Sequence, residues 1–136
     1  MRVLALDYGS ARCGCAVSDP TGVLATPLEP VLAPSSRRGL ERIAELVEEL
    51  GVERVVVGLP LSLAGGDSAQ TRVSREFADT LRRRLSVPVE LYDERFTTRI
   101  AQLDGADARA SEDSRAAAHL LSGWLESRSA GGVDRA

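Results

Sequence analysis

The chain has no lysine and no asparagine, one histidine, two cysteines and only 4% aromatic residues. No apolar run approaches the roughly 18 residues that a membrane span needs, so no membrane association is expected. The N-terminus passes from Arg2 directly into Val3, Leu4, Ala5 and Leu6, a segment too short for a signal peptide, and the protein reads as cytoplasmic. Cys13 and Cys15 are separated by one residue, which puts both on one face of a strand, and nothing else in the sequence completes a zinc site. They read as two buried thiols in a reducing compartment. No Gly-x-Ser-x-Gly elbow is present to begin a serine triad. The loop from Gly58 to Gly66 has the composition of a phosphate cradle but lacks the Gly-Lys-Ser/Thr ending of a P-loop, and is expected to face substrate. His119, the single histidine, sits among Ala118, Leu120 and Leu121 in an expected helix and reads as structural.

All 17 basic residues are arginine, against 20 acidic ones, for a formal net charge of −3. A GC-biased genome accounts for the missing lysine and asparagine without a functional reason. Net acidity argues against a histone-like protein that binds nucleic acid by bulk charge, while leaving room for a basic patch beside an acidic site. At 136 residues and 14.5 kDa the chain is one domain, large enough to bury about 70% of its unfolded surface. The expected division is a single domain over 1–128 and a flexible tail over 129–136, whose Gly and Ser content suits a frayed end.

Along the chain, Val3 to Asp7, Cys13 to Ser18 and Val23 to Val31 read as three strands joined by short turns, an antiparallel meander. Pro27 and Pro30 place the third at a sheet edge, because proline cannot donate to a ladder. Ser35 or Ser36 then caps a helix that turns Leu40, Ile43, Val47 and Leu50 inward and ends at Gly51. Val55, Val56 and Val57 form an unbroken β-branched run, as in a strand covered on both faces. A second helix is expected to bury Val73, Phe77, Leu81 and Leu85, with a last strand at Val87 to Tyr92. A final helix from about Ser111 to Ser127 buries Ala117, Leu120, Leu121, Trp124 and Leu125. Helix crossovers force the later strands parallel, so the expected fold is α/β: a five-stranded mixed sheet with helices on both faces, compatible with a ribonuclease H-like fold.

Three acidic positions stand out by location. Asp7 ends a run of apolar residues at the mouth of a central strand, where open α/β sheets place ligands; the competing account is an Asp that only opens the turn at Gly9. Asp93 and Glu94 follow the last strand and alternate faces, so only one can point toward Asp7; otherwise either is a surface partner of Arg95. Asp113 lies in the first turn of the last helix, where the helix dipole alone favours an acid. Together, three carboxylates would repel one another unless a hard cation sat between them, and Mg²⁺ or Mn²⁺ prefers such oxygen ligands. That arrangement suits phosphodiester hydrolysis without a covalent nucleophile. Arg12, Arg95 and Arg99 flank the acidic mouth and suit phosphate contacts. The arginines of the second helix, balanced by Glu76 and Asp79, read as a solvated face.

The segments Leu4 to Asp19, Val56 to Pro60, Asp93 to Thr98 and Asp113 to Ala117 resemble, in order and spacing, the four signature blocks of the YqgF family, also called RuvX. The resemblance extends to about Leu125. It implies a ribonuclease H-like fold and a cytoplasmic bacterial nuclease that trims the precursor of 16S ribosomal RNA, with members also described as Holliday-junction-resolvase-like. By position it implies Asp7, Glu94 and Asp113 as catalytic residues that bind Mg²⁺ or Mn²⁺. Asp93 is the weaker match, because Glu94 corresponds to the acidic position of related resolvases. Within the blocks, Arg12, Gly58, Pro60, Arg95, Thr97 and Thr98 are the expected substrate contacts. The chain departs from the family in having Cys13 and Cys15 at usually aliphatic positions and Phe96 where Leu is common. Precursor ribosomal RNA is the expected partner. The alternatives are branched DNA, whose symmetric cutting calls for a two-fold dimer, and a catalytically weak nucleic-acid-binding module. An actin-like ATPase also opens with an Asp-x-Gly hairpin but needs two such domains. Monomer and homodimer remain open from sequence.

Overall fold

The computed structural model describes residues 1–60, 69–93 and 112–132, with side chains as far as residue 128. Its elements are β1 (Val3–Asp7), β2 (Arg12–Ser18), β3 (Ala25–Leu32), α1 (Arg37–Glu49), β4 (Arg54–Leu59), α2 (Ala69–Arg84), β5 (Val89–Asp93) and α3 (Glu112–Gly132). The strands form one sheet in the order β3-β2-β1-β4-β5. β2 pairs antiparallel with both β1 and β3, while β4 runs parallel to both β1 and β5. The expected mixed sheet is therefore formed, with β1 at its centre and the proline-bearing β3 at an edge.

β1 carries no polar residue before Asp7, and Val3, Leu4, Ala5 and Leu6 are all completely buried. Alternation divides them between two cores. Leu4 and Leu6 join Cys13, Cys15, Val55 and Val57 against Ile43, Leu46 and Val47 of α1 and Phe77, Ala78 and Leu81 of α2. Val3, Ala5, Ala16 and Val56 lie on the other face against Ala117, Ala118, Leu120, Leu121 and Trp124 of α3. Both cysteines are buried and free, on the same face as expected. The C-terminal ends of β1, β3, β4 and β5 share one edge of the sheet, and α1, α2 and α3 all begin there.

Local chemistry explains where the observed boundaries differ from the expected ones. Val23 and Leu24 are exposed, not part of β3, because their amides donate to Asp19 Oδ1 at 2.8 Å each and are turned into the β2–β3 turn. Ser36 is the N-cap of α1; its hydroxyl accepts from the Gly39 amide at 3.0 Å. Gly51 follows α1 at φ +64°, a conformation that favours glycine. β4 extends through Gly58 and Leu59, so these two belong to a strand and not to the loop. In α2 the buried stripe runs through Thr71, Ser74, Phe77, Ala78 and Leu81, which leaves Val73 outward. The Thr71 hydroxyl is satisfied there by donating to the Pro60 carbonyl at 2.9 Å. α3 continues past Ser127 to Gly132. Among the described residues no helix is long and apolar enough to cross a membrane.

Two outcomes follow. Leu121 is fully buried between α3 and the sheet, so Leu121→Ala is expected to lower unfolding free energy by about 2–5 kcal/mol in chemical denaturation. The Asp19 carboxyl is held well below the usual carboxylate range, first by the Thr21 hydroxyl and then by the amides of Leu24, Val23 and Thr21. A lowered value means that its stabilisation is complete above the unfolded pKa, about 3.9, and is lost as pH falls through the folded value. A carboxyl-carbon NMR titration is expected to place the Asp19 midpoint clearly below 3.9; a midpoint at the ordinary value would contradict the turn geometry.

Candidate active site

Asp7 is the last residue of β1, in register opposite Gly14 of β2. By strand alternation it follows Val3 and Ala5 onto the face covered by α3. Gly14 faces the same way, and α3 begins directly on it. A Cβ built on Gly14 would lie 1.9 Å from the Asp113 carbonyl oxygen and 2.9 Å from the Ser114 nitrogen. Asp7 by strand pairing and Asp113 by helix packing therefore both adjoin one position that has no side chain. Next to it, the Cys15 amide donates to Ser114 Oγ at 3.2 Å, and Ser114 is fully buried. Arg12 Nε stands 3.9 Å from Asp113 Oδ2.

The two acids share an electrostatic neighbourhood. The Cys13 thiol is pushed up from its ordinary range by hydrogen bonding with Cys15, by burial, and by the negative charges of Cys15, Asp7 and Asp113. Both thiols are buried in the core on the α1–α2 face, so the ligand-type side chains that adjoin this mouth are carboxylates. Such oxygens fit a hard divalent cation. Asp7 and Asp113 are two of the three expected ligands. Glu94 lies outside the described residues, as do Arg95, Thr97 and Thr98, and among the described residues no three His, Cys, Asp or Glu side chains form a cluster.

β5 separates Asp93 from this mouth. Tyr92 donates its hydroxyl to the Gly123 carbonyl at 3.2 Å, and Trp124 Nε1 donates to Glu90 Oε2 at 3.0 Å, so Glu90 and Tyr92 face α3. Val89 and Leu91 lie on the α1–α2 side, and alternation puts Asp93 there with them, on the face opposite Asp7. Gly58 of β4 pairs with Tyr92 and follows Val56 onto the α3 face, so this strand places no side chain at the mouth. Pro60 is the next residue after the strand. Tyr8 points to the other side: its ring packs on Phe77 with centroids 4.5 Å apart, and its hydroxyl shares a 2.8 Å hydrogen bond with Ser35. His119 lies nearly two turns along α3 from Asp113, half-buried, its Nδ1 without a hydrogen-bond partner among the described residues.

The residues that sequence reasoning passed over are Gly14 and Ser114. Gly14 had a signal, since a glycine inside a strand marks a close backbone approach. Ser114 had none, because its hydroxyl partner lies 99 residues earlier in the chain.

A central parallel pair, an antiparallel hairpin on one side and acidic residues at the strand and helix ends define a ribonuclease H-like α/β protein. The chain belongs to the family described as "RuvX: Holliday junction resolvase", whose model matches residues 1–127. It is 42% identical over 133 residues to a protein of Chloroflexus aurantiacus, spanning 93% of this chain and 87% of that one. With a protein of Mycolicibacterium paratuberculosis the identity is 46% over 137 residues, spanning 95% and 82%. Both relatives carry the name "Putative pre-16S rRNA nuclease". Among solved structures, Thermus thermophilus RuvC in complex with a Holliday junction substrate superposes with a TM-score of 0.66 at 17% identity, covering 96% of each chain. The fowlpox virus Holliday junction resolvase gives 0.54 at 13% identity, covering 93% of this chain and 99% of that one. At those identities the likeness is one of fold.

The Arg12–Asp113 pair is solvated on both sides, with side chains 56% and 43% exposed. Arg12→Ala is accordingly expected to change unfolding free energy by less than about 1 kcal/mol, measured by urea denaturation.

Proposed function

We propose that this chain is a divalent-metal-dependent nuclease that hydrolyses phosphodiester bonds in the precursor of 16S ribosomal RNA. The observation that carries the reading is the approach of Asp7 and Asp113 to one side-chain-free position at the mouth of the sheet. It stands in a chain 38–47% identical to relatives named for pre-16S rRNA nuclease activity. Asp7 and Asp113 would hold Mg²⁺ or Mn²⁺, with Glu94 as the third ligand by its place in the family's third block. Such an ion, when bound, supplies an activated water and stabilises charge growing on the phosphate.

The protein's own residues then have separable tasks. Asp7, anchored at the end of a fully buried strand, supplies a rigid oxygen donor. Asp113 supplies another from the first turn of α3. Arg12, beside Asp113, offers a guanidinium to a phosphate that the acids alone would repel. Gly58 keeps the α3 side of β4 open, and Pro60, Arg95, Thr97 and Thr98 complete the substrate contacts. Both cysteines are buried, which withholds their thiols from acting as covalent nucleophiles.

Cleavage of branched DNA is the second reading, favoured by the family's own description. It requires two active sites related by a two-fold axis. A catalytically weak nucleic-acid-binding module is the third.

The decisive assay presents purified protein with precursor 16S ribosomal RNA and with a four-way DNA junction, in Mg²⁺, in Mn²⁺ and in chelator. Metal-dependent cleavage of the RNA is expected, lost by at least about a hundredfold in Asp7→Asn while the fold survives, since metal-assisted charge stabilisation is worth several kcal/mol. Undiminished cleavage in chelator would overturn the metal role. Junction cleavage by a dimer with inert RNA would select the second reading, and metal-independent binding without turnover the third.

A further inference from the structure

α3 is fixed to β5 near Gly123 and Trp124 by two hydrogen bonds, from the Tyr92 hydroxyl to the Gly123 carbonyl and from Trp124 Nε1 to Glu90 Oε2. Between that point and the first turn, which carries Asp113, its contacts with the sheet are the apolar Ala117, Ala118, Leu120 and Leu121. Such contacts are non-directional and do not by themselves seat the first turn at the mouth. The Arg12–Asp113 pair, half-exposed on both sides, is too solvated to do so. Two features of β2 provide what is missing. At Gly14 the backbone of the first turn touches the backbone of the strand, with the Asp113 carbonyl carbon 2.3 Å and its oxygen 1.9 Å from where a Cβ would stand. These are main-chain atoms that cannot rotate away. One residue on, the Cys15 amide donates to the buried Ser114 Oγ at 3.2 Å, a directional bond that sets both the rotation and the height of the helix start. The β2–β3 register shifts between Cys13 and Cys15, opposite the segment containing Pro30, so this is also where β2 departs from a regular ladder.

The same segment of β2 faces Asp7 and Leu6 across the β1–β2 ladder, Gly14 opposite Asp7 and Cys15 opposite Leu6. One dipeptide thus references both acids. We infer that Gly14 and Ser114 are positioning residues for the metal site: through β2 they set the separation of the Asp7 and Asp113 carboxylates and thereby its affinity for a divalent ion. The inference rests on the metal-binding reading of those two acids proposed above.

The test is isothermal titration of Mn²⁺ into the full chain without nucleic acid, below the unfolding midpoint of every variant, with circular dichroism as the fold check. Asp113→Asn reports on the reading beneath the inference and is expected to weaken binding by tenfold or more, roughly the loss of one ligand. Ser114→Ala is expected to weaken it on the order of tenfold, as is usual for groups that orient metal ligands, and Gly14→Ala at least as much. Leu121→Ala, which loses stability elsewhere on the same helix, is expected to bind within about twofold of the unmodified protein. If Gly14→Ala fails to fold, Ser114→Ala carries the test. Ser114→Ala binding within about twofold of the unmodified protein while Asp113→Asn is weakened would overturn the positioning role alone. Equal weakening in Leu121→Ala and Ser114→Ala would overturn it too, by reducing it to general stability. If Asp113→Asn binds as the unmodified protein does, or the unmodified protein binds no Mn²⁺, the reading of the acids falls and the inference with it.

Discussion

The close approach of α3 to β2 at Gly14 is the constraint from which the rest of this architecture follows. On the side of the sheet that α3 covers, β1, β2 and β4 present Ala5, Gly14, Ala16 and Gly58 beside Val3 and Val56, whereas the opposite side presents Leu4, Leu6, Cys13, Cys15, Val55 and Val57. Small residues on one face let a helix backbone lie near the strands; larger ones on the other fill the space beneath α1 and α2. A Cβ at Gly14 would lift the start of α3, and because dispersion contacts weaken steeply with sub-ångström gaps, Ala117 and Leu121 would lose packing along with Asp113 its position. Closeness here serves stability and site geometry through the same contact.

Around that contact the charges are arranged in opposition. The mouth is acidic, with Asp7 half-buried and Asp113 half-exposed, yet Arg12 stands beside it and three helices begin at the same edge. Helix N-termini carry partial positive charge, so the first turn of α3 stabilises Glu112 and Asp113 while the edge as a whole tolerates polyanions. A purely acidic mouth would repel the phosphodiester it is proposed to cut. Arg12 and the helix starts offset that repulsion locally without making the whole chain basic, in keeping with a net charge of −3.

Much of the fold was legible because the two periods separate cleanly. The all-apolar β1 and the Val55–Val57 run could only be strands covered on both faces, and Pro27 with Pro30 correctly sent β3 to an edge. From the sequence, alternation left open which of Asp93 and Glu94 shares a face with Asp7; in β5, Glu90 and Tyr92 face α3, which puts Asp93 on the opposite face. Errors arose where a polar side chain took over a backbone role. Asp19 captured the amides of Val23 and Leu24 and delayed β3, and Thr71, satisfied by the Pro60 carbonyl, took the inward position that periodicity assigned to Val73. Hydrophobic period registers apolar faces; it is blind to a hydroxyl that becomes buried by finding a partner.

By itself, then, the order of residues determined which elements form, which face each buries and which acids stand at element ends, since those depend on neighbours a few positions away. Only the tertiary structure decided that Asp113, more than a hundred residues from Asp7, comes to rest beside the same glycine. That proximity depends on contacts made by β2 backbone atoms with a helix start, on a missing Cβ and on one hydroxyl, none of which leaves a periodic trace in the chain.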